Sequence, residues 1–168
     1  MKQFKVTHLS WLFLLLVLVS LNVSAQIPAQ TVPEFQFLRL NQKPYTNKDL
    51  PPGKMLFFVF FDPGCEHCQR TIGKMDKQYT SFAKTSMIMI SMDSLSRINK
   101  FLDTYAKHIR VQKNVTILQD KRYQFITQFK PVRFPSMFLY SAKKQLIDYE
   151  DNEESLFKLI NAINKTSK

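Results

Sequence analysis

The chain has 168 residues, of which 45% are hydrophobic, and this length and composition suit one compact domain. Its 24 Lys and Arg residues exceed its 13 Asp and Glu residues and give a net charge of +11, but the basic residues are scattered along the chain. Because no block of five or six like charges occurs, the charge indicates a solvated surface and argues against nucleic-acid binding.

The N-terminal 25 residues are typical of a secretory signal peptide. Two lysines precede an apolar block at residues 9–19, and small or compatible residues suit cleavage after Ala25. The block is shorter than the about 20 residues that a membrane-spanning helix needs, so we expect a membrane anchor only if the leader stays uncleaved. We therefore predict a periplasmic or otherwise exported domain of residues 26–168.

The first element predicted after the leader is a β-hairpin. Apolar and polar residues alternate over residues 32–37, and a turn-prone stretch follows at 41–44. A Pro-Pro-Gly break at residues 51–53 then precedes an unbroken hydrophobic run at 55–61. This run predicts a central strand that is covered on both faces.

Helices and strands are predicted to alternate after this strand. One helix starts close to Cys65 and buries four residues at helical spacing: Ile72, Met75, Tyr79 and Phe82. Further along the chain we predict a strand at 87–91, a helix capped by Asp93, Ser94 or Ser96, a strand at 115–118 and a short helix at 123–129.

The last third of the chain predicts a hairpin and a terminal helix. Two hydrophobic runs, at 137–140 and 146–149, flank a polar turn. An apolar helical face at 156–163 follows, with Asn152 as its expected cap. The order of elements predicts an α/β fold with a mixed central sheet flanked by helices.

The two cysteines of the chain, Cys65 and Cys68, lie between the central strand and the following helix. A disulfide that closes so short a loop constrains the unfolded chain very little, so a structural role explains the pair poorly. The free N–H groups and the dipole at a helix N-terminus stabilise a thiolate, which is the nucleophile of disulfide exchange. We therefore predict that Cys65 attacks and Cys68, one turn later, resolves, without an organic cofactor.

The two residues between the cysteines are expected to tune the attacking thiol in opposite directions. His67, when it is protonated or donates a hydrogen bond, favours the thiolate of Cys65. The carboxylate of Glu66 disfavours that thiolate, by about 0.6 kcal/mol in water and about 2.4 kcal/mol at an effective dielectric of 20 for a separation of about 7 Å.

These features resemble the thioredoxin-like family, and in particular its exported thiol-disulfide oxidoreductases of the TlpA/ResA type. The likeness extends over about residues 32–164. Residues 53–68 resemble the first central strand and active site of that family, residues 90–94 its second strand end, and residues 134–139 its cis-proline loop. The resemblance implies a thioredoxin fold with an N-terminal β-hairpin extension.

The resemblance also implies how substrates are bound. Pro135 is expected to be cis and to lie beside the cysteines, with Phe134 or Arg133 presenting its backbone to a substrate strand. The expected partners are protein thiols or disulfides and an unidentified redox partner, with the chain acting as the reductant. Two positions depart from the family: Gly64 replaces a frequent Trp, and Val59 replaces a frequent Asp or Asn. An acidic group at the second position can take the proton of the resolving thiol, so Glu66 or solvent is the expected base for Cys68 here.

Two other functions fit parts of the sequence. A copper(I)-delivery protein would need a histidine beside the cysteines, and His108 is the candidate, although a solvated loop histidine is the simpler interpretation. A peroxiredoxin-like peroxidase would share the Phe61-Asp62-Pro63 approach to the first cysteine, but Asp62 stands where that family has a threonine. Structural zinc lacks ligands, so no metal site is expected.

Overall fold

The computed structural model describes residues 27–166. The signal peptide predicted at residues 1–25 lies outside the described residues, and its cleavage stays a prediction. Within residues 27–166, no helix combines the length and the apolar character that a membrane crossing requires.

A mixed sheet of seven strands forms the centre of the described chain, in the order β2-β1-β5-β4-β3-β6-β7. The central strand β3 pairs in parallel with β4 and antiparallel with β6, and β1 and β2 form an antiparallel hairpin. The predicted mixed sheet and N-terminal hairpin are therefore confirmed. The strands are β1 (Gln36–Arg39), β2 (Pro44–Thr46), β3 (Met55–Phe60), β4 (Thr85–Ser91), β5 (Val115–Gln119), β6 (Ser136–Tyr140) and β7 (Leu146–Glu150).

Strand β3 is buried along its whole length because both faces of the sheet are covered. Side chains alternate between the faces of a strand, so Phe57 and Val59 enter one core cluster while Phe58 and Phe60 enter the other. This burial on two faces explains why the hydrophobic run of β3 has no polar alternation, as the sequence predicted.

Four helices cover the sheet within the described residues: α1 (Glu66–Lys77), α2 (Leu95–Tyr105), α3 (Gln124–Phe129) and α4 (Leu156–Thr166). The apolar faces of α1, α2 and α4 pack in the core cluster on one face of the sheet. The aromatic side chains of α3 pack with those of the hairpin on the other face. The carboxyl end of β3, where α1 starts, therefore lies between the two core clusters.

Two predicted helix boundaries differ from the structure. Helix α1 ends at Lys77, because the N–H of Gln78 bonds the carbonyl of Met75 at 3.0 Å, and residues Tyr79–Phe82 continue as a separate 3-10 turn. Helix α4 begins at Leu156, so Asn152 is not its N-cap. Asn152 instead accepts hydrogen bonds from the N–H and hydroxyl of Ser155, both at 2.8 Å. Among the three caps considered for α2, Ser94 takes that position.

Candidate active site

Cys65 occupies the N-cap position of α1, as the sequence predicted. A tight turn brings the chain from β3 into the helix: the N–H of Cys65 bonds the carbonyl of Asp62 at 3.1 Å, and the Asp62 carboxylate accepts from the N–H of Gly64 at 2.6 Å. Asp62 is therefore a turn residue. The Cys65 side chain makes no capping hydrogen bond to the helix.

Gly64 permits a close approach between the turn and α2. A Cβ atom at this position would lie 3.0 Å from Nη2 of Arg97 and 3.2 Å from the Asp62 carboxylate. A bulky residue such as the tryptophan of the resembled family would therefore displace Arg97. Because this contact is with the end of a flexible side chain, a larger residue at position 64 can be accommodated when Arg97 moves.

The two sulfurs have different surroundings. Both cysteines are free thiols; Cys65 is partly exposed and Cys68 is fully buried. The Cys68 sulfur accepts a hydrogen bond from the N–H of Asp62 at 3.4 Å. Burial is the main cause that raises the pKa of Cys68, and the adjacent Cys65 adds to it. An incoming substrate can therefore reach Cys65, whereas Cys68 is held as a protonated thiol.

The loop before β6 lies against the Cys65 sulfur. The bond between Phe134 and Pro135 is cis, which confirms the prediction for Pro135. The Cys65 thiol points at the carbonyl oxygen of Phe134 at 3.9 Å, and the Phe134 ring packs on Phe60 with 4.7 Å between centroids. The structure thus brings the cysteine and this loop together, as the sequence resemblance implied.

Two residues that the sequence did not single out hold this loop. The Ser136 hydroxyl donates to the carbonyl of Arg133 at 2.5 Å and shares a 3.1 Å hydrogen bond with the Tyr149 hydroxyl. Tyr149 also accepts from the N–H of Val132 at 2.9 Å. Because Ser136 and Tyr149 lie on adjacent strands but 13 residues apart, no local sequence pattern reveals the pair.

Arg133 contributes to this region through its backbone and turns its side chain to the surface. Its guanidinium donates to the Asp151 carboxylate at 3.0 Å, and its carbonyl is occupied by Ser136. Of the two residues expected to present backbone to a substrate, Phe134 is therefore the one that faces the cysteine.

Glu66 and His67 both contact Arg70, which the sequence analysis did not single out. A guanidinium can only donate, so the 2.8 Å contact between Arg70 Nη2 and His67 Nδ1 requires a free lone pair on that nitrogen. The Glu66 carboxylate lies 3.7 Å from Arg70 and is 84% exposed. Arg70 therefore partly offsets the Glu66 charge and engages His67 as an acceptor, and the tuning of Cys65 by these residues stays a prediction.

Neither Val59 nor Glu66 places a carboxylate beside the buried Cys68 thiol. Val59 is a core residue, and the Glu66 side chain lies in solvent while Cys68 is sealed from it. The carboxyl-bearing residue that contacts Cys68 is Asp62, through its N–H, and its charge contributes to the raised pKa of Cys68.

His108 lies at the other end of α1 from the cysteines. Its Nδ1 is 2.8 Å from the Asp76 carboxylate, and its ring stacks on Tyr79 with 5.6 Å between centroids. Cys65 and Asp76 are separated by about 16 Å along the helix, at about 1.5 Å per residue. His108 therefore cannot complete a copper site with the cysteines, and residues 27–166 contain no group of three or more potential metal ligands.

Comparisons with known proteins point to one family. The sequence profile of the AhpC/TSA family matches residues 28–149. A comparison with curated proteins finds no match.

Three solved structures from Mycobacterium tuberculosis share the fold. DsbF, solved in mixed oxidised and reduced forms, has 18% identity, a TM-score of 0.66 and coverage of 83% of this chain and 98% of its own. The peroxidoxin BcpB has 14% identity, a TM-score of 0.67 and coverage of 84% and 98%. A secreted disulfide oxidoreductase homologous to Escherichia coli DsbE has 18% identity, a TM-score of 0.62 and coverage of 78% and 95%. At these identities the likenesses show the fold alone.

Proposed function

The chain belongs to the AhpC/TSA family and has a thioredoxin-like fold, and we propose that within this family it is an exported thiol-disulfide oxidoreductase of the TlpA/ResA type. The observation that carries the proposal is the unequal pair of thiols. Cys65 is accessible at the start of α1, and Cys68 is buried one turn later. Such a pair can form a mixed disulfide with a partner at Cys65 and then release that partner.

The proposed reaction transfers two electrons to a disulfide of a partner protein. The Cys65 thiolate attacks one sulfur of that disulfide; a bond from Cys65 forms, the substrate S–S bond breaks, and the leaving thiolate takes a proton from solvent. Cys68 then attacks the Cys65 sulfur, and its proton passes to the departing sulfur of the substrate. This step releases the second substrate thiol and leaves a disulfide between Cys65 and Cys68, which a dithiol redox partner reduces again.

The surroundings of the cysteines assign a role to each part of the site. The N–H groups that open α1 stabilise the Cys65 thiolate. The Phe134 carbonyl and the cis-Pro135 loop lie where a substrate strand would pass the attacking sulfur. The burial of Cys68 protects it from substrates, so that it attacks only the sulfur of the mixed disulfide beside it.

Trapping of the mixed disulfide tests this proposal. Cys68→Ala removes the resolving thiol, so a protein disulfide substrate should accumulate as a one-to-one adduct that dithiothreitol releases. Cys65→Ala should form no adduct and should lose the reduction of a neutral disulfide such as bis(2-hydroxyethyl) disulfide. Turnover retained by Cys65→Ala would overturn the proposal.

A peroxidase is the second candidate function, and the structural likeness to the peroxidoxin BcpB motivates it. We favour disulfide exchange, because the buried thiol of Cys68 lies one turn after Cys65 and can resolve a mixed disulfide, and because Asp62 stands where the peroxidase family has a threonine. Peroxide consumption that is faster than disulfide reduction by the same protein would favour the peroxidase instead.

The direction of electron flow and the location of the protein belong to the same proposal. A reduction potential near the about −270 mV of thioredoxin would support a reductant, whereas one near about −120 mV would indicate an oxidant. Export is supported by the leader-like sequence and by the secreted relative from Mycobacterium tuberculosis. N-terminal sequencing of the mature protein should begin at Gln26.

A further inference from the structure

A groove of about 360 Å³ lies between α1 and α2, beside the turn that carries Cys65. We call it the α1–α2 groove. The residues of its lining that matter here are Pro63, Gln69, Arg97, Lys100, Phe101 and Tyr105.

One face of α2 supplies the floor and the cationic wall of the groove. Arg97, Lys100 and Phe101 are three and four residues apart, a spacing that places side chains on the same side of a helix. Phe101 is only 3% exposed, and its ring packs on Phe61 at 4.9 Å and on Tyr105 at 5.2 Å. The floor is therefore a fixed aromatic surface, and the two cationic side chains stand at its edge.

Gln69 joins the groove to the active-site turn. Its side-chain amide donates to the carbonyl of Pro63 at 3.2 Å and accepts from the Tyr105 hydroxyl at 3.0 Å. Its backbone N–H bonds the carbonyl of Cys65 at 3.1 Å. A polypeptide that lies in the groove would therefore contact the same turn that positions the attacking sulfur.

The charge at the edge of the groove is only partly neutralised. Arg97 pairs with Asp93 at 2.9 Å, although its side chain is 60% exposed. Lys100 is exposed, and within residues 27–166 no carboxylate lies at ion-pair distance from it. The carboxylate of Asp103, on the same helix, pairs with Arg110 instead. The groove thus presents positive charge without a fixed counterion at Lys100.

We propose that the α1–α2 groove binds an acidic segment of the partner protein that flanks its redox-active cysteine. An Asp or Glu side chain of the partner pairs with Lys100 and Arg97, and an apolar neighbour packs on the partly exposed rings of Pro63 and Tyr105. Complementary charge of this kind orients a partner and speeds its encounter. The inference rests on the proposed disulfide exchange and names the class of partner that this site selects.

Three substrates test the inference: two peptide disulfides of equal length that differ only in an Asp-Glu or Lys-Lys flank, and neutral bis(2-hydroxyethyl) disulfide. The wild-type protein should reduce the acidic peptide with a kcat/KM that is about three- to tenfold above that of the basic one, and salt should diminish this preference. Lys100→Glu should abolish or invert the preference. Lys100→Gln should give an intermediate ratio.

Lys143→Glu is the matched control, because it changes the net charge by the same amount in the turn after β6, at the end of that strand remote from Pro135. It should keep the wild-type preference. Equal rates for the two peptides with the wild-type protein, or equal loss of preference in the Lys100 and Lys143 variants, would overturn the inference. Failure of the wild-type protein to reduce the neutral disulfide would instead contradict the proposed function itself.

Discussion

The sulfurs of Cys65 and Cys68 lie one helical turn apart but differ strongly in their exposure to solvent. The Cys65 sulfur lies beside the Phe134 carbonyl at the surface, whereas the Cys68 sulfur accepts a hydrogen bond from Asp62 in the core. Burial disfavours the charged form of an isolated thiol. In the proposed reaction the order of attack follows from these positions, because Cys65 is reachable and Cys68 is buried.

The raised pKa of Cys68 predicts a loss of stability of the reduced protein at alkaline pH. The unfolded thiol loses its proton near pH 9.0, whereas the folded thiol keeps it. The folded state then binds more protons than the unfolded state, so the free energy of unfolding falls as the pH rises above about 9, by up to about 1.4 kcal/mol per pH unit.

Urea unfolding of the wild-type protein and Cys68→Ala between pH 8 and 10 isolates this effect, because the buried tyrosines contribute equally in both proteins. Cys68→Ala should lack this part of the pH dependence. The cavity that the substitution leaves should lower the free energy of unfolding by the same amount at every pH. Parallel stability curves for the reduced wild-type protein and Cys68→Ala would contradict the prediction.

Thr71 predicts a stabilising substitution within α1. It is fully buried, and its hydroxyl has no hydrogen-bond partner in the described part of the chain. Thr71→Val keeps the shape and removes the unsatisfied group, so the free energy of unfolding should rise by about 1 kcal/mol. Thr85→Val is the control, because the buried Thr85 hydroxyl donates to Phe82 at 2.9 Å and its loss should destabilise. Equal destabilisation by both substitutions would refute this account of Thr71.

At the scale of whole elements, the hydrophobic periodicity of the sequence predicted those features that contacts within a single strand or helix determine. The two-sided burial of β3 follows from its unbroken hydrophobic run, and the position of Cys65 follows from the start of α1. The end of α1 was predicted too late, because the partly buried Tyr79 and the buried Phe82 pack on the core from a 3-10 turn that continues the same apolar spacing. Spacing alone does not show where helical hydrogen bonds stop.

Contacts between distant elements could not be predicted from spacing. Ser136 and Tyr149 hold the loop before Pro135 from two strands, and Arg70 reaches Glu153, 83 residues further along the chain. Such pairs depend on how distant elements pack against each other, and residue spacing in a single sequence carries no signal of that packing. The i,i+4 spacing of Glu66 and Arg70 was the one local signal for the ion pairs of α1.

The end of α1 depends on a buried carboxylate. Asp76 accepts from the N–H groups of His108 and Ile109, both at 2.8 Å, and so ties α1 to the segment after α2. Asp76→Ala leaves these donors unsatisfied and should lower the free energy of unfolding by about 2–4 kcal/mol. Asp76→Asn keeps an acceptor oxygen and should cost less. Urea unfolding measures both, and an equal loss for the two variants would show that the backbone hydrogen bonds are not the cause.

For the molecule as a whole, the active site lies where several separate parts of the chain meet. Strand β3 leads into the cysteine turn, the loop before β6 faces the sulfur, and α2 approaches Gly64 through Arg97. The segment between β7 and α4 joins them, because Glu153 pairs with Arg70 at 3.0 Å and with Lys74 at 2.6 Å. These contacts tie the exposed face of α1 to the C-terminal part of the fold.

The ion pairs of Glu153 therefore predict that part of the global stability is lost at acidic pH. Hydrogen bonds from Lys74 and then Arg70 lower the pKa of this carboxyl below 4.5, so its contribution is present above that pH and is lost as the pH falls through the folded-state value. Because both cations are about half exposed, Glu153→Gln should cost only about 0.5–1 kcal/mol at pH 7 and nothing at a pH where the carboxyl is protonated. Urea unfolding over a series of pH values from 7 downwards measures this difference. Glu154→Gln makes the same charge change on an exposed neighbour and should leave the pH dependence unchanged, so identical behaviour of the two variants would contradict an anchoring role for Glu153.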